Sequence, residues 1–436
     1  MDDYRLIADK LAADIAAGRL QPGDRLPPQR QFARRLGIAS STAARVYGEL
    51  VRRGLAVGEV GRGTFVRAAE RRAEPALAEP GNAKIDLELN FCVLPGQAAM
   101  LAEGVSKVLR SDVMSAALRP VGANGTPAIR EAAAKMMTRA GWEPDPGQIL
   151  CTGNGRQAIA AAIAALVPVG GRLGVEALTY PVVKGIATRL GITLVPLPMD
   201  EAGVIPQALK EARVHTVYLQ PTLHNPLGLT MPARRRAKIS DLLWEQRIYA
   251  IEDNIYGFLA NDLPPLAPGR TIIVDSLSKR LAPGLTVGFA AVPPLLTEQV
   301  TSAVRSGGWT AQHFALEVAT RWLTDGTAAR IEAAKREDAL ARQEIAQGHL
   351  GFVAVDRRAY HCWWTLPEPW RAETFVAAAA RHGIAITPAA AFAVVPGHAP
   401  NAVRLALSAP PLDTLAIALD TLAQIARRDP YEGWDT

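Results

Sequence analysis

The feature that most constrains this chain is an abrupt change of pattern near residue 85. Before it, short helical patterns carry most of the basic excess. After it, runs such as RLGVE, TVYLQP, IYAIED and TIIVDS alternate with Ala-rich helical stretches. Strands alternating with helices imply an α/β domain with a largely parallel sheet. Between the two patterns, RAAERRAEPALAEPGNAK has no periodicity and carries Pro75, Pro80 and Gly81, as a linker would. The expected organisation is a small domain over 1–67, a linker over 68–84 and a large α/β domain over 85–436.

At 436 residues the chain is long enough to bury two cores without disulfides or metal staples. Its three cysteines, Cys92, Cys151 and Cys362, are far apart and form no metal or redox spacing. They are expected as buried thiols in a reducing compartment. The start, MDDYRLIADK, is acidic where a signal peptide is basic and then apolar. The longest apolar run, 158–169, is too short to span a bilayer. A cytoplasmic protein without membrane attachment is expected.

Residues 1–66 hold ten Arg, one Lys and seven acidic residues, or +4 of the chain's formal +6. A basic excess in a small domain suggests nucleic acid as partner, although a basic face can also be merely solvated. The pattern there predicts three helices and a hairpin. Leu6, Ile7, Leu11 and Ile15 have helical spacing over 4–18, and a second helix over 29–36 stops at Gly37. Ser40, Ser41 and Thr42 offer cap oxygens for a third helix through Leu50, and LAVGEVGRGTFV reads as a β-hairpin. Two short helices joined by a tight glycine-containing turn make a helix-turn-helix.

The strings PGDRLP, QRQFARRLGI, YGELVRRGL and GRGTFV together resemble the winged helix-turn-helix of GntR-type bacterial regulators. A recognition helix enters the major groove with its N-terminal residues at the base edges. The resemblance implies that Arg30, Ser40, Ser41, Thr42 and Arg45 face DNA and that Arg62 reaches it from the wing. Many relatives have Arg where Ser40 stands.

In the large domain four motifs follow one another: HNPLG (224–228), IEDNIY (251–256), SLSK (276–279) and VRLALS (403–408). In an open α/β sheet, ligands gather beyond the carboxyl ends of the strands. Asn225, Asp253 and Lys279 follow three successive strands, so they converge on one rim. A lysine and a carboxylate so placed are what pyridoxal 5'-phosphate requires, a Schiff-base amine and a partner for the pyridine nitrogen. Each residue alone has an ordinary alternative: Lys279 a surface lysine, Asp253 a helix cap, Arg404 a salt-bridge partner, Tyr180 a turn aromatic.

The ordered set resembles fold-type I aminotransferases over about 85–430. By that resemblance Lys279 carries the cofactor, Asp253 pairs with its ring nitrogen, and Asn225 and Tyr256 hydrogen-bond its phenolate oxygen. Tyr180 stacks on the ring, and Arg404 grips a carboxylate of an amino acid, a task suited to a planar guanidinium. Phosphate donors would be Ser276, Ser278 and the amides around Gly155, at the start of a helix. The chain departs from its relatives in three places. PGLT puts Thr286 where they have an arginine for the phosphate, Pro120 stands near the place of a phosphate-binding tyrosine, and Arg156 stands where glutamine is common. Arg156 is the first candidate for the missing charge, Arg280 the second.

The two modules together resemble the MocR subfamily of GntR-type regulators. That implies a homodimeric transcription regulator, binding operator DNA, whose aminotransferase-like domain binds pyridoxal phosphate and senses an amino acid or amine. A turnover aminotransferase and a cofactor-free dimerisation domain stay open as alternatives.

Overall fold

A computed structural model describes residues 4–16, 19–20, 24–52, 55–59, 63–66, 83–351 and 355–428. The chain divides into two compact units, Met1–Glu74 and Pro75–Thr436.

The small unit holds helices Tyr4–Ala16, Gln29–Leu36 and Ser40–Arg52, then antiparallel strands Ala56–Glu59 and Gly63–Val66. In the third helix Ala43, Val46, Tyr47 and Leu50 recur at helical spacing and are all buried, together with Phe32 of the second. Tyr47 closes this core twice. Its ring meets Phe32 edge-on at 5.2 Å and its hydroxyl donates to the Pro27 carbonyl at 2.6 Å. The second helix ends at Gly37, whose φ of 66° lies in the left-handed region that glycine enters freely. Residues 24–26 run beside the wing, with Leu26 N–H donating to Thr64 and Val66 N–H to Asp24. The first helix is described through Ala16, residues 17–18 lie outside the described residues, and the third helix extends at least to Arg52, past Leu50. Because that third helix begins at Ser40, Ser40, Ser41 and Thr42 form its first turn.

The large unit is built on a seven-stranded sheet. Its strand order is Ile149–Thr152, Gly288–Ala291, Thr271–Ser276, Tyr249–Asp253, Thr216–Leu219, Arg172–Glu176 and Thr193–Leu197. All neighbours are parallel except Gly288–Ala291, which is antiparallel to both of its own. The inner strands are buried along nearly their whole length because helices cover both faces, and their polar residues gather mostly at the carboxyl ends. Ala158, Ile159, Ala162 and Ile163 of helix Gly155–Leu166 pack on one face; Ile129, Ala133 and Met137 pack on the other with Leu316, Ala319 and Trp322. Gly288 allows the sheet to meet the start of helix Gly155–Leu166. A Cβ there would lie 2.3 Å from the Asn154 carbonyl.

A three-stranded sheet, in the order His361–Thr365, Ala402–Ala406, Thr387–Pro388, forms a second layer with helices Ala372–Arg381 and Leu412–Arg427. The 24-residue helix Thr327–Leu350 packs against that layer and also against the segment after Ser276. Cys92, Cys151 and Cys362 are buried and free, and burial pushes the thiols of Cys151 and Cys362 up to about 12. Cys92 is not in purely apolar surroundings, since its Sγ donates to Asp338 at 3.4 Å. No helix among the described residues is long and apolar enough to cross a membrane.

Candidate functional site

Three adjacent parallel strands, Thr216–Leu219, Tyr249–Asp253 and Thr271–Ser276, deliver Asn225, Asp253 and Lys279 to one rim. There a cavity of about 530 Å³ is lined by Asn225, Asp253, Tyr256, Lys279 and Arg404. Tyr180, Gly155, Arg156, Ser276 and Ser278 line it too, so the expected large-domain site residues reach it, with Arg280 the exception.

Lys279 rides on the short helix Leu277–Arg280, directly after its strand. Its Nζ donates to the Asn90 carbonyl, sits 3.5 Å above the Phe91 ring and is 5.8 Å from the Tyr256 ring centre. Burial holds its pKa well below the ordinary lysine value, and the guanidiniums of Arg404 and Arg156 and the ammonium of Lys335 push the same way. Lowering a lysine's pKa raises the share of it present as the nucleophilic free amine.

Asp253 lies at its strand's end. It accepts from Tyr218 Oη at 2.6 Å, Gln220 Nε2 at 2.9 Å and the Ile255 amide at 3.1 Å. Burial pushes its pKa up to about 6, against the pull of these hydrogen bonds. All three donors are neutral, so the carboxylate is suited to a cation brought in by a ligand. Asn225 precedes a cis bond to Pro226, and its Oδ1 is buried and unpartnered. Tyr256 Oη accepts from Asn90 Nδ2 at 2.9 Å, and burial raises its pKa.

At the other end of the cavity, helix Gly155–Leu166 starts under the Asn154 cap, which accepts from the Gln157 amide at 3.0 Å. A Cβ on Gly155 would stand 3.1 Å from Ser276 Oγ, so glycine permits this close approach. Ser278 Oγ and Thr286 Oγ1 are 2.6 Å apart. Arg156 is exposed and its Nε donates to Tyr180 Oη at 3.2 Å. Arg280, the second candidate for the missing charge, is directed elsewhere. Its guanidinium pairs with Asp275 and Glu332, each at 2.7 Å, and does not line the cavity.

Arg404 projects from strand Ala402–Ala406. Its NH2 donates to the Glu88 carbonyl and, at 3.0 Å, to Thr387 Oγ1, with the guanidinium 5.3 Å from the Phe392 ring centre. Its Nε is buried without a partner. Sequence reasoning missed Asn90 and Phe91, which flank Lys279, and Tyr218 and Gln220, which hold Asp253. The last two stand two apart on TVYLQP, a period-two signal for one face of a strand. Nothing in the sequence marks Asn90 or Phe91.

In the small unit Arg30, Ser40, Ser41 and Arg45 are exposed and Thr42 is half-buried, opposite the buried face of the third helix. Arg62 lies outside the described residues.

A winged helix-turn-helix followed by an aminotransferase-type sheet and rim defines a class: regulators that carry an enzyme fold behind a DNA-binding domain. The family descriptions agree. Residues 83–422 match "Aminotransferase class I and II", and residues 3–66 match "Bacterial regulatory proteins, gntR family". The chain belongs to the aminotransferase class I and II family and, with its gntR-family domain in front, to the MocR-type transcription regulators. It is 29% identical to the uncharacterized HTH-type transcriptional regulator YdeF of Bacillus subtilis, over 93% of this chain and 90% of that one. It is 25% identical to the probable rhizopine catabolism regulatory protein MocR of Rhizobium meliloti, over 84% of this chain and 79% of that one. Among solved structures, an archaeal alanine:glyoxylate aminotransferase superposes with a TM-score of 0.72 at 23% identity, over 79% of this chain and 90% of that one. The gntR domain implies DNA binding, and the aminotransferase family generally uses pyridoxal phosphate.

Proposed function

We propose that the chain is a homodimeric transcription regulator whose large domain binds pyridoxal 5'-phosphate and senses an amino acid or amine. The observation that carries this reading is Asp253, a buried carboxylate held by three neutral donors, in the same cavity as Lys279, a buried lysine whose pKa burial and neighbouring cations lower. Asp253 would pair with the ring nitrogen of the cofactor in its protonated form. The buried unpartnered oxygen of Asn225 and the Tyr256 hydroxyl are the groups for the ring's phenolic side.

When bound, pyridoxal phosphate supplies an aldehyde that condenses with amines and a ring that withdraws electrons. Lys279 would supply the amine that holds this aldehyde. Tyr180 covers one face of the ring. Gly155, Ser276 and Ser278 bring amide and hydroxyl donors to the phosphate end, and Arg156 brings the charge there. Arg404 binds a ligand carboxylate through its unsatisfied Nε side.

The phosphate end favours sensing over turnover. Its hydroxyl groups carry no charge, and Arg156, its cation among the described residues lining that end, is exposed, so retention leans on Lys279. A turnover enzyme has to retain its cofactor in the amine form, when Lys279 no longer holds it.

Arg30, Ser40, Ser41, Thr42 and Arg45 supply the DNA contacts, mostly to phosphates. A ligand that binds one dimer conformation better than another alters the DNA complex. Titration of operator DNA with protein, cofactor and an amino-acid and amine panel tests this. One compound should change affinity or footprint in the wild type and not in Lys279→Ala. A wild type indifferent to the whole panel would overturn the sensing role.

A further inference from the structure

A second buried lysine stands behind Lys279. Lys335, on helix Thr327–Leu350, is fully buried. Its Nζ donates to the Lys279 carbonyl at 2.9 Å and to the Leu281 carbonyl at 2.7 Å. Helix Leu277–Arg280 is a single turn, and its last carbonyls have no further turn to bond them. Gln97 Nε2 also donates to Leu281 O, at 3.1 Å. Lys335 and Gln97 therefore close the turn that carries the reactive amine.

Lys335 is placed there at a cost. An ammonium removed from water needs compensation, and a Met would fill similar space without it. The carboxylates facing it are engaged elsewhere. Asp338 accepts from Arg342 and Tyr360, and from the Cys92 thiol. Glu332 accepts from Arg280 and Arg336. Burial brings the Lys335 pKa down to about 8, partly offset by Cys92, Asp338 and Glu332. Its own backbone carbonyl accepts from Tyr360 Oη at 2.7 Å. Helix Thr327–Leu350 thus holds Lys335 from behind, and the same helix packs on the C-terminal layer that carries Arg404.

We propose that Lys335 is the positioning residue of the lysine site: its ammonium, bonded to the Lys279 and Leu281 carbonyls, fixes the turn bearing Lys279 and places a positive charge behind it. This rests on the cofactor reading only in its purpose, because the effect exists in the cofactor-free protein. A free lysine amine attacks a carbonyl, and a neighbouring cation is one of the ways a protein lowers a lysine's pKa toward that form.

The test is made on full-length, cofactor-free protein. Lys279 is labelled with trace acetic anhydride across a pH series and quantified by mass spectrometry. Lys335→Met should move the midpoint of Lys279 labelling upward by about one pH unit, as expected for loss of a nearby charge. Lys335→Gln keeps a donor without the charge and should move it as far, while Lys335→Arg should leave it near wild type. Circular dichroism and a thermal melt check folding, and the Gln and Arg variants decide the matter if Met does not fold. Adding pyridoxal phosphate then separates this inference from the cofactor reading. Slower appearance of the visible band in the Gln variant, with the labelling shift, supports both. A labelling shift with no band in any protein sustains the positioning role and overturns the cofactor reading. A midpoint unchanged in Met and Gln overturns the positioning role, whatever the band does.

Discussion

Tyr218 donates its phenolic hydrogen to Asp253 at 2.6 Å, across adjacent parallel strands and in full burial. Both side chains point to the same rim because the strands are in register, Ile251 opposite Tyr218. This pair holds a carboxylate in the cavity through neutral donors, with no ion pair to it among the described residues.

The arrangement predicts a pH effect in cofactor-free protein. Because the pKa of Asp253 is raised in the folded state, folding favours its protonated form. Its contribution to stability is complete below about pH 4 and is lost as pH rises through about 6. Asp253→Asn abolishes that titration. Denaturant melts of the large-domain transition should show the variant gaining about 2–3 kcal/mol on wild type between about pH 4 and pH 7. With pyridoxal phosphate present the order should reverse at neutral pH, since only wild type pairs with the ring nitrogen.

Arg156 and Arg280 should separate cleanly. Arg280→Ala strands Asp275 and Glu332 and should cost the large domain about 3–5 kcal/mol. Exposed Arg156→Ala should change stability by no more than about 0.5 kcal/mol. It should instead weaken pyridoxal phosphate binding by about tenfold and leave binding of pyridoxal, which has no phosphate, nearly unchanged. Equal losses for both ligands would place Arg156 away from the phosphate.

On the DNA side, Arg45 is exposed while Val46 and Tyr47 beside it are buried. Arg45→Ala should cost about 1–3 kcal/mol of operator affinity with no change in the small domain's melting. If the contact is to phosphate, the slope of log affinity against log salt should fall by about one; if it is to a base, the loss should concentrate on one position of the operator.

What was legible in the sequence was what local pattern controls. Strands Arg172–Glu176 and Thr271–Ser276 fall where alternation and β-branched runs place them, and Asp253 and Lys279 were findable because they end such strands. Arg280 was not resolved by its position beside Lys279. Neighbouring residues on a helix point about 100° apart, and that turn sends one side chain into the cavity and the other to Asp275. Asn90 was invisible because it meets Lys279 across 189 positions, with the match set by how the second layer closes on the sheet. Lys335 was hidden likewise, one charged residue in a long charged helix whose buried side only packing decides.

The most direct measurement is the visible absorbance of purified protein titrated with pyridoxal phosphate, alongside Lys279→Ala. The account predicts a saturable visible band in wild type, absent in the variant and shifted by at least one amino acid or amine. A wild-type spectrum that stays the sum of free cofactor and protein at saturating pyridoxal phosphate would contradict it, and the large domain would then serve as a cofactor-free scaffold for the DNA-binding domain.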